Sequence, residues 1–282
     1  MIRIMSDSTA DLSPELVERY NITVIPLHIC LDDAEYRDGV EITPDEIYKW
    51  ADEHNTTPKT SAISMEDAEG AFRPVIDAGD EIIVFTISSK MSTTYNVLNI
   101  AASNLNAEDK ISIIDSENLS TGIGLLVLAA ADMASRGEKR DAIVSEINAL
   151  RSRVRASFVV DTLVYLHRGG RCSSVAAMAG SMLKLHPEIV VRDGAMLADK
   201  KYRGKMDAVI LDYTHDMELK LLDAVPDRVF ITHSGAREEV IEKVREYLES
   251  LEYFKEILIT RAGGVVSSHC GPGTLGVLFI SK

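Results

Sequence analysis

The stretch from Asp80 to Leu105 constrains this chain more than any other. Glu81-Ile82-Ile83-Val84-Phe85-Thr86-Ile87 is β-branched, aromatic and nearly unbroken. That is the pattern of a strand buried on both faces, as in a parallel sheet covered by helices. Ser88-Ser89-Lys90-Met91-Ser92-Thr93-Thr94 follows, and then Val97, Ile100, Ala101 and Leu105 recur at helical spacing. A strand that runs into a helix start leaves unpaired backbone N–H groups beside the positive end of the helix dipole. Five hydroxyls in seven residues surround that point. Two readings are equally open: an anion site, since open α/β sheets tend to bind ligands at this end of their strands, and plain helix capping by Ser and Thr.

The rest of the N-terminal half repeats the grammar. Ile2–Met5, Ile22–Leu31 and Ile111–Ile114 read as strands. Leu12–Tyr20, a segment opened by Thr43-Pro44, one opened by Ser64 with Asp67, and Asp141–Ser152 read as helices. Pro74 is expected to end or kink the third of these. Leu119–Ala134 is apolar nearly all round, which marks either a central core helix or the wall of an apolar cavity. After Arg153 the pattern changes. Asp193-Gly194 between two apolar runs predicts a hairpin, Ser173 is expected to cap a helix through Lys184, and further helices alternate with strands up to Leu275–Ile280. The expected fold is α/β in two domains. Residues 1–155 carry a mostly parallel sheet flanked by helices, and residues 156–282 an α/β unit with an antiparallel or mixed sheet.

Several function classes are disfavoured. The formal charge of −14 opposes nucleic acid or an anionic membrane as main partner. Cys30, Cys172 and Cys270 are widely spaced, giving neither a disulfide framework nor a zinc motif, which fits a reducing cytoplasm. No G-x-S-x-G elbow or P-loop is present, no G-x-G-x-x-G follows the first strand, and the histidines lack i, i+4 pairing. The apolar run at 122–131 is too short to span a bilayer. No cofactor, metal or catalytic residue is expected.

Ser267-Ser268-His269-Cys270-Gly271-Pro272-Gly273-Thr274 is rich in turn formers and reads as a loop that carries His269, either solvated or beside exposed N–H groups. Arg168, Arg171, Lys200, Lys201, Arg203 and Lys205 are either a solvated face or a patch for an acidic partner.

Taken together, Ser6-Asp7-Ser8-Thr9-Ala10-Asp11-Leu12, Lys59-Thr60-Ser61, Ser88-Ser89 with Ser92-Thr93-Thr94-Tyr95-Asn96, Gly169-Gly170-Arg171 and His269-Cys270-Gly271-Pro272-Gly273 resemble the DegV family in order and spacing, across essentially the whole chain. That resemblance implies a bacterial protein that holds one long-chain fatty acid between its two domains. It also implies a non-catalytic role, as the acyl-carrying subunit that presents the carboxylate to a separate fatty acid kinase subunit. Thr60 and Ser92 would bind the carboxylate, with Ser61, Thr93 and His269 in the same polar network. Arg171 and Arg203 would dock the kinase subunit, and the 119–134 helix would wall the tunnel. Two positions depart from the pattern: Thr93 and Ile63 stand where a glycine and a proline are usual. The rival reading is an enzyme, a small-molecule kinase or an esterase using Ser92 as nucleophile and His269 as base. A third is a regulatory module that binds a protein through the turn around Arg171.

Overall fold

The computed structural model describes residues 1–172 and 185–282. The helix expected from Ser173 to Lys184 lies outside the described residues. The first half holds strands β1 (Ile2–Asp7), β2 (Thr23–Ile25), β3 (His28–Leu31), β4 (Ala34–Arg37), β5 (Lys59–Ser61), β6 (Glu81–Thr86) and β7 (Ile111–Asp115). Four of them make a wholly parallel sheet in the order β2-β1-β6-β7. β6 occupies a central place, which explains its unbroken apolar run: Ile82, Ile83, Val84 and Phe85 have no solvent exposure at all.

Helices α1 (Pro14–Arg19), α2 (Pro44–His54), α3 (Met65–Asp77), α4 (Thr94–Asn104), α5 (Thr121–Ser135) and α6 (Arg140–Arg151) connect these strands or follow them. Local chemistry sets their starts. Ser13 caps α1, Thr43 and Glu46 form a capping box on α2, and the Ser64 hydroxyl accepts from the Asp67 amide on α3. The second half carries β8 (Val154–Val159), α7 (Val164–Gly169), β9 (Leu185–Arg192), β10 (Ala195–Arg203), α8 (Met206–Asp216), α9 (Glu218–Leu222), β11 (Ala224–His233), α10 (Glu238–Ser250), β12 (Glu256–Arg261), α11 (Gly264–Cys270) and β13 (Leu275–Ser281). Its six-stranded sheet, β10-β9-β8-β13-β11-β12, is mixed: β11 and β12 pair in parallel and the other neighbours are antiparallel. The β9–β10 hairpin turns at Asp193-Gly194, both with positive φ, as a tight primed turn demands.

Three expectations are corrected. Residues 22–31 are not one strand. Pro26 has no N–H for a ladder, and the chain changes sheet there, β2 staying with β1 while β3 joins β4 and β5 in a small antiparallel sheet. α3 does not end at Pro74 but runs on to Asp77, the carbonyl that loses its partner belonging to exposed Gly70, where water can reach it. His269 does not sit on a loop. It lies in the last turn of α11.

α5 explains its own composition. It packs on β1 and β6 on one side and on β8, β11 and β13 on the other, so no face is left for polar residues. One apolar core therefore runs from Ile4 and Phe85 through Ile123 and Leu126 to Phe158, Phe230 and Leu278. Leu126 is wholly buried in it. Leu126→Ala is expected to lower stability by about 3 kcal/mol. Thermal unfolding followed by calorimetry should keep one transition for the whole chain. Two separated transitions would show that α5 does not couple the sheets.

Candidate functional site

The hydroxyl turn after β6 is held from three directions. Asp7, at the end of β1, accepts the Ile87 amide at 2.7 Å with one oxygen, and the Thr9 amide and hydroxyl with the other. The Ser88 amide donates to the Asn118 carbonyl. From the second half, the β9–β10 turn reaches in: Ser88 Oγ donates to the Gly194 carbonyl at 2.7 Å, and Lys90 Nζ to the Asp193 carbonyl. A Cβ on Gly194 would lie 2.6 Å from Ser88 Oγ, so glycine is needed there for close approach as well as for the turn.

These bonds sort the five hydroxyls. Ser88 and Thr94 are fully buried and structural, and the Thr94 amide donates to Ser92 Oγ, which caps the start of α4. Ser89, Ser92 and Thr93 face a cavity of about 430 Å³, inside the range usual for small-molecule sites. Thr60 and Ser61 on β5 and His269 on α11 complete its polar end. Leu27, Ile87, Leu119, Met196, Val265 and Val266 supply apolar wall. Capping and ligand-facing hydroxyls thus coexist in one turn.

Thr60 Oγ1 and His269 Nε2 lie 2.8 Å apart, bridging residues from opposite halves of the chain. His269 Nδ1 is enclosed and has no partner among the described residues, and a Cβ on Gly169 would come within 2.3 Å of it. Burial, together with the charge of Arg171, pushes the imidazole down to about 4, so it is neutral near pH 7. An N–H at Nδ1 would be a buried donor without an acceptor. The hydrogen-bond pattern therefore assigns the proton to Nε2, which donates to Thr60. The Thr60 hydroxyl proton is left free to point into the cavity.

The other expected residues divide. Ser61 borders the cavity, but its hydroxyl donates to Glu35 Oε1 at 2.9 Å. Thr93 stands at the start of α4 and its side chain makes no cap bond. Arg171 is exposed at the rim, where its guanidinium donates to the Gly169 and Met91 carbonyls. Arg203 ends β10, is exposed, and does not border the cavity. The α5 helix packs into the core instead of walling the cavity. Only Leu119, ahead of its first turn, reaches it. Cys270 borders the cavity with a thiol that burial pushes up to about 12, so it stays protonated and unreactive near neutrality.

Residues that sequence reasoning missed are the wall of α11, Val265 and Val266, and the acids that hold that helix. Asp11 Oδ1 accepts the Gly263 amide at 2.8 Å and Asp38 Oδ1 the Gly264 amide at 2.7 Å. Burial raises the carboxyls of Asp7 to about 6 and of Asp11 to about 8, and raises that of Asp38 too. The Gly263-Gly264 pair was the available signal, since adjacent glycines mark close backbone approach. Among the described residues no cluster of His, Cys, Asp or Glu is arranged to hold a metal ion, and no helix is long and apolar enough to cross a membrane.

Comparison with known proteins adds to this geometry. A sequence model of the DegV family matches residues 1–282. A DegV domain-containing protein of Caldanaerobacter subterraneus subsp. tengcongensis is 33% identical over 283 residues, covering 100% of this chain and 99% of that protein. The solved structure of a fatty-acid-binding DegV family protein from Thermus thermophilus matches with a TM-score of 0.91 at 30% identity, over 100% of this chain and 99% of that one. A stearic-acid-binding protein from Eubacterium ventriosum matches with a TM-score of 0.87, also at 30% identity and with the same coverage. With a family match along its whole length, and the fold of these structures, this chain belongs to the DegV family.

Proposed function

We propose that this protein binds one long-chain fatty acid, without catalysis of its own, and presents its carboxylate to a separate fatty acid kinase subunit. The observation that carries the reading is the Thr60–His269 hydrogen bond among the hydroxyls of a cavity that also has apolar wall. The fatty acids held by the Thermus thermophilus and Eubacterium ventriosum proteins, which share the fold, support it. Residues 1–155 would supply the hydroxyls of the head-group site, Thr60, Ser92 and Thr93, with Ser61 bordering it. Residues 156–282 would supply His269 and close over the tail. Arg171 at the rim and Arg203 at the end of β10 are the positions proposed to meet the kinase subunit.

Energetics give each part a task. Burial of the tail is worth about 0.8 kcal/mol per CH₂, so chain length sets affinity. Hydrogen bonds to a charged group contribute about 1.5–3 kcal/mol each, so the hydroxyls set orientation and add the rest. The esterase reading lacks its central contact. Among the described residues Ser92 Oγ bonds Thr94 and His269 Nε2 bonds Thr60, so no Ser92–His269 pair is formed.

Native mass spectrometry of protein purified from bacteria should show an adduct with the mass of a common long-chain fatty acid. Protein that carries none, and takes up none when it is offered, contradicts the proposal. Thr60→Val and Ser92→Ala should each weaken binding by about tenfold or more, because each removes a hydrogen bond to the carboxylate. Titration calorimetry reads that loss.

The pH dependence has a definite sign. His269 is held below its ordinary value in the folded state, so its contribution to stability is complete above about pH 6.5 and is lost as pH falls toward about 4. Fatty acid affinity should therefore be flat between about pH 6.5 and 8 as far as this residue is concerned, since the imidazole does not titrate there. A break in affinity in that window that His269→Gln removes would refute the neutral assignment.

A further inference from the structure

α11 places Val265, Val266, His269 and Cys270 on the cavity, so whatever fixes this helix fixes the site. It belongs in sequence to the second half and packs there on α7, but it also packs on α2, β3, β5 and the short turn after β1. Seven residues are too few for an isolated helix to be stable, and no side-chain hydrogen bond from its own N-cap residue closes its first turn. Its start is closed from afar. The amides of Gly263 and Gly264 donate to Asp11 and Asp38, 252 and 226 residues away in sequence.

Both carboxylates are fully engaged. Ser120 Oγ donates to the second oxygen of Asp11 at 2.5 Å, and Ser8 Oγ to the second oxygen of Asp38 at 2.8 Å, while Ser8 itself accepts the Leu27 amide. The fit is tight. A Cβ on Gly264 would stand 2.8 Å from Asp38 Oδ1 and 2.5 Å from Ile29 Cδ1, and one on Gly263 3.2 Å from Asp11 Oδ1. Asp7, Asp11 and Asp38 are all buried, at 5% exposure or less, and among the described residues none forms an ion pair. Burying three acids without a cation is costly. An apolar side chain there could not accept the two amides.

We infer that Asp11 and Asp38 are positioning residues for the ligand site, latching α11 onto the first half so that the latch sets how fast a fatty acid leaves the cavity. The inference rests on the binding reading above and adds the control of release. The role needs one acceptor oxygen for each helix amide, Oδ1 in both residues, and the side-chain amide of asparagine supplies that oxygen at the same place. Asparagine therefore preserves the latch and alanine breaks it.

Two measurements test this. The first is the release of a labelled long-chain fatty acid from the full-length protein to phosphatidylcholine vesicles. The second is hydrogen exchange of the Val265–Cys270 amides in protein without fatty acid. Asp38→Ala and Asp11→Ala should release about tenfold faster and exchange these amides faster, whereas Asp38→Asn and Asp11→Asn should stay within about threefold of the parent. Leu248→Ala, in the separate core behind β11 and β13, should lower thermal stability and leave the release rate unchanged. If the alanine variants do not fold, Ser8→Ala, which removes only the hydroxyl that holds Asp38, should speed both readouts by about threefold. Parental release and exchange in the alanine variants overturns the latch. So does an asparagine variant no better than alanine, or faster release in Leu248→Ala. The exchange measurement needs no ligand, so protein that takes up no fatty acid refutes the binding reading, while unchanged exchange refutes the latch.

Discussion

The bond between Thr60 Oγ1 and His269 Nε2 spans 209 residues of sequence and forms only when three separate arrangements are in place. β5 must pair with β3 so that Thr60 lies opposite Ile29. α11 must sit against the first half, which the distant acids make stable. Gly169 must carry no side chain, because the imidazole occupies that space. A further chain of contacts steadies the strand that carries Thr60. Ser61 donates to Glu35, His28 lies between Glu35 and Asp67, and Ser64 donates to Asp67. Ser61 thus serves Thr60 by fixing its strand, which accounts for a hydroxyl beside the cavity that is turned away from it.

Beneath this bond lies a continuous core. α5 has apolar residues on every side because sheets lie on two of its faces, and the strand ends that frame the cavity are carried by that block. A cavity survives folding where its lining is braced well enough not to collapse. Here the bracing is polar at the edges, with Asp7 on the Ile87 amide and the Asp193-Gly194 turn on Ser88 and Lys90. The apolar block behind them supplies stiffness, and the edge bonds supply position.

Features written in local chemistry were legible in the sequence. The β6 run, the capping residues of α1, α2 and α3, the apolar α5 and the Asp193-Gly194 turn each follow from neighbours a few residues apart. What was not legible depends on distant partners. α11 looked like a loop because the acceptors for its first amides come from residues 11 and 38. β5 was not singled out as a strand, because its strand character comes from pairing with β3. α5 was expected at the cavity, but its place between the sheets could not be inferred from a helix without a polar face. Of the site, Thr60, Ser92, Thr93 and His269 do border one cavity, on a resemblance that carried their spacing, while the hydroxyl of Ser61 has another partner.

Lys90 and Arg171 also line the cavity, but their charged groups are bonded to backbone carbonyls, and hydroxyls stand at its polar end. An arginine fork on a carboxylate fixes both oxygens in charge-assisted bonds and lowers their basicity. On the proposed reading, hydroxyls beside a neutral imidazole would orient a carboxylate with less compensation of its charge than such a fork gives. Arg171, standing at the rim with its guanidinium on the Gly169 and Met91 carbonyls, adds positive potential there. Burial, together with the same charge, keeps His269 neutral throughout the neutral range.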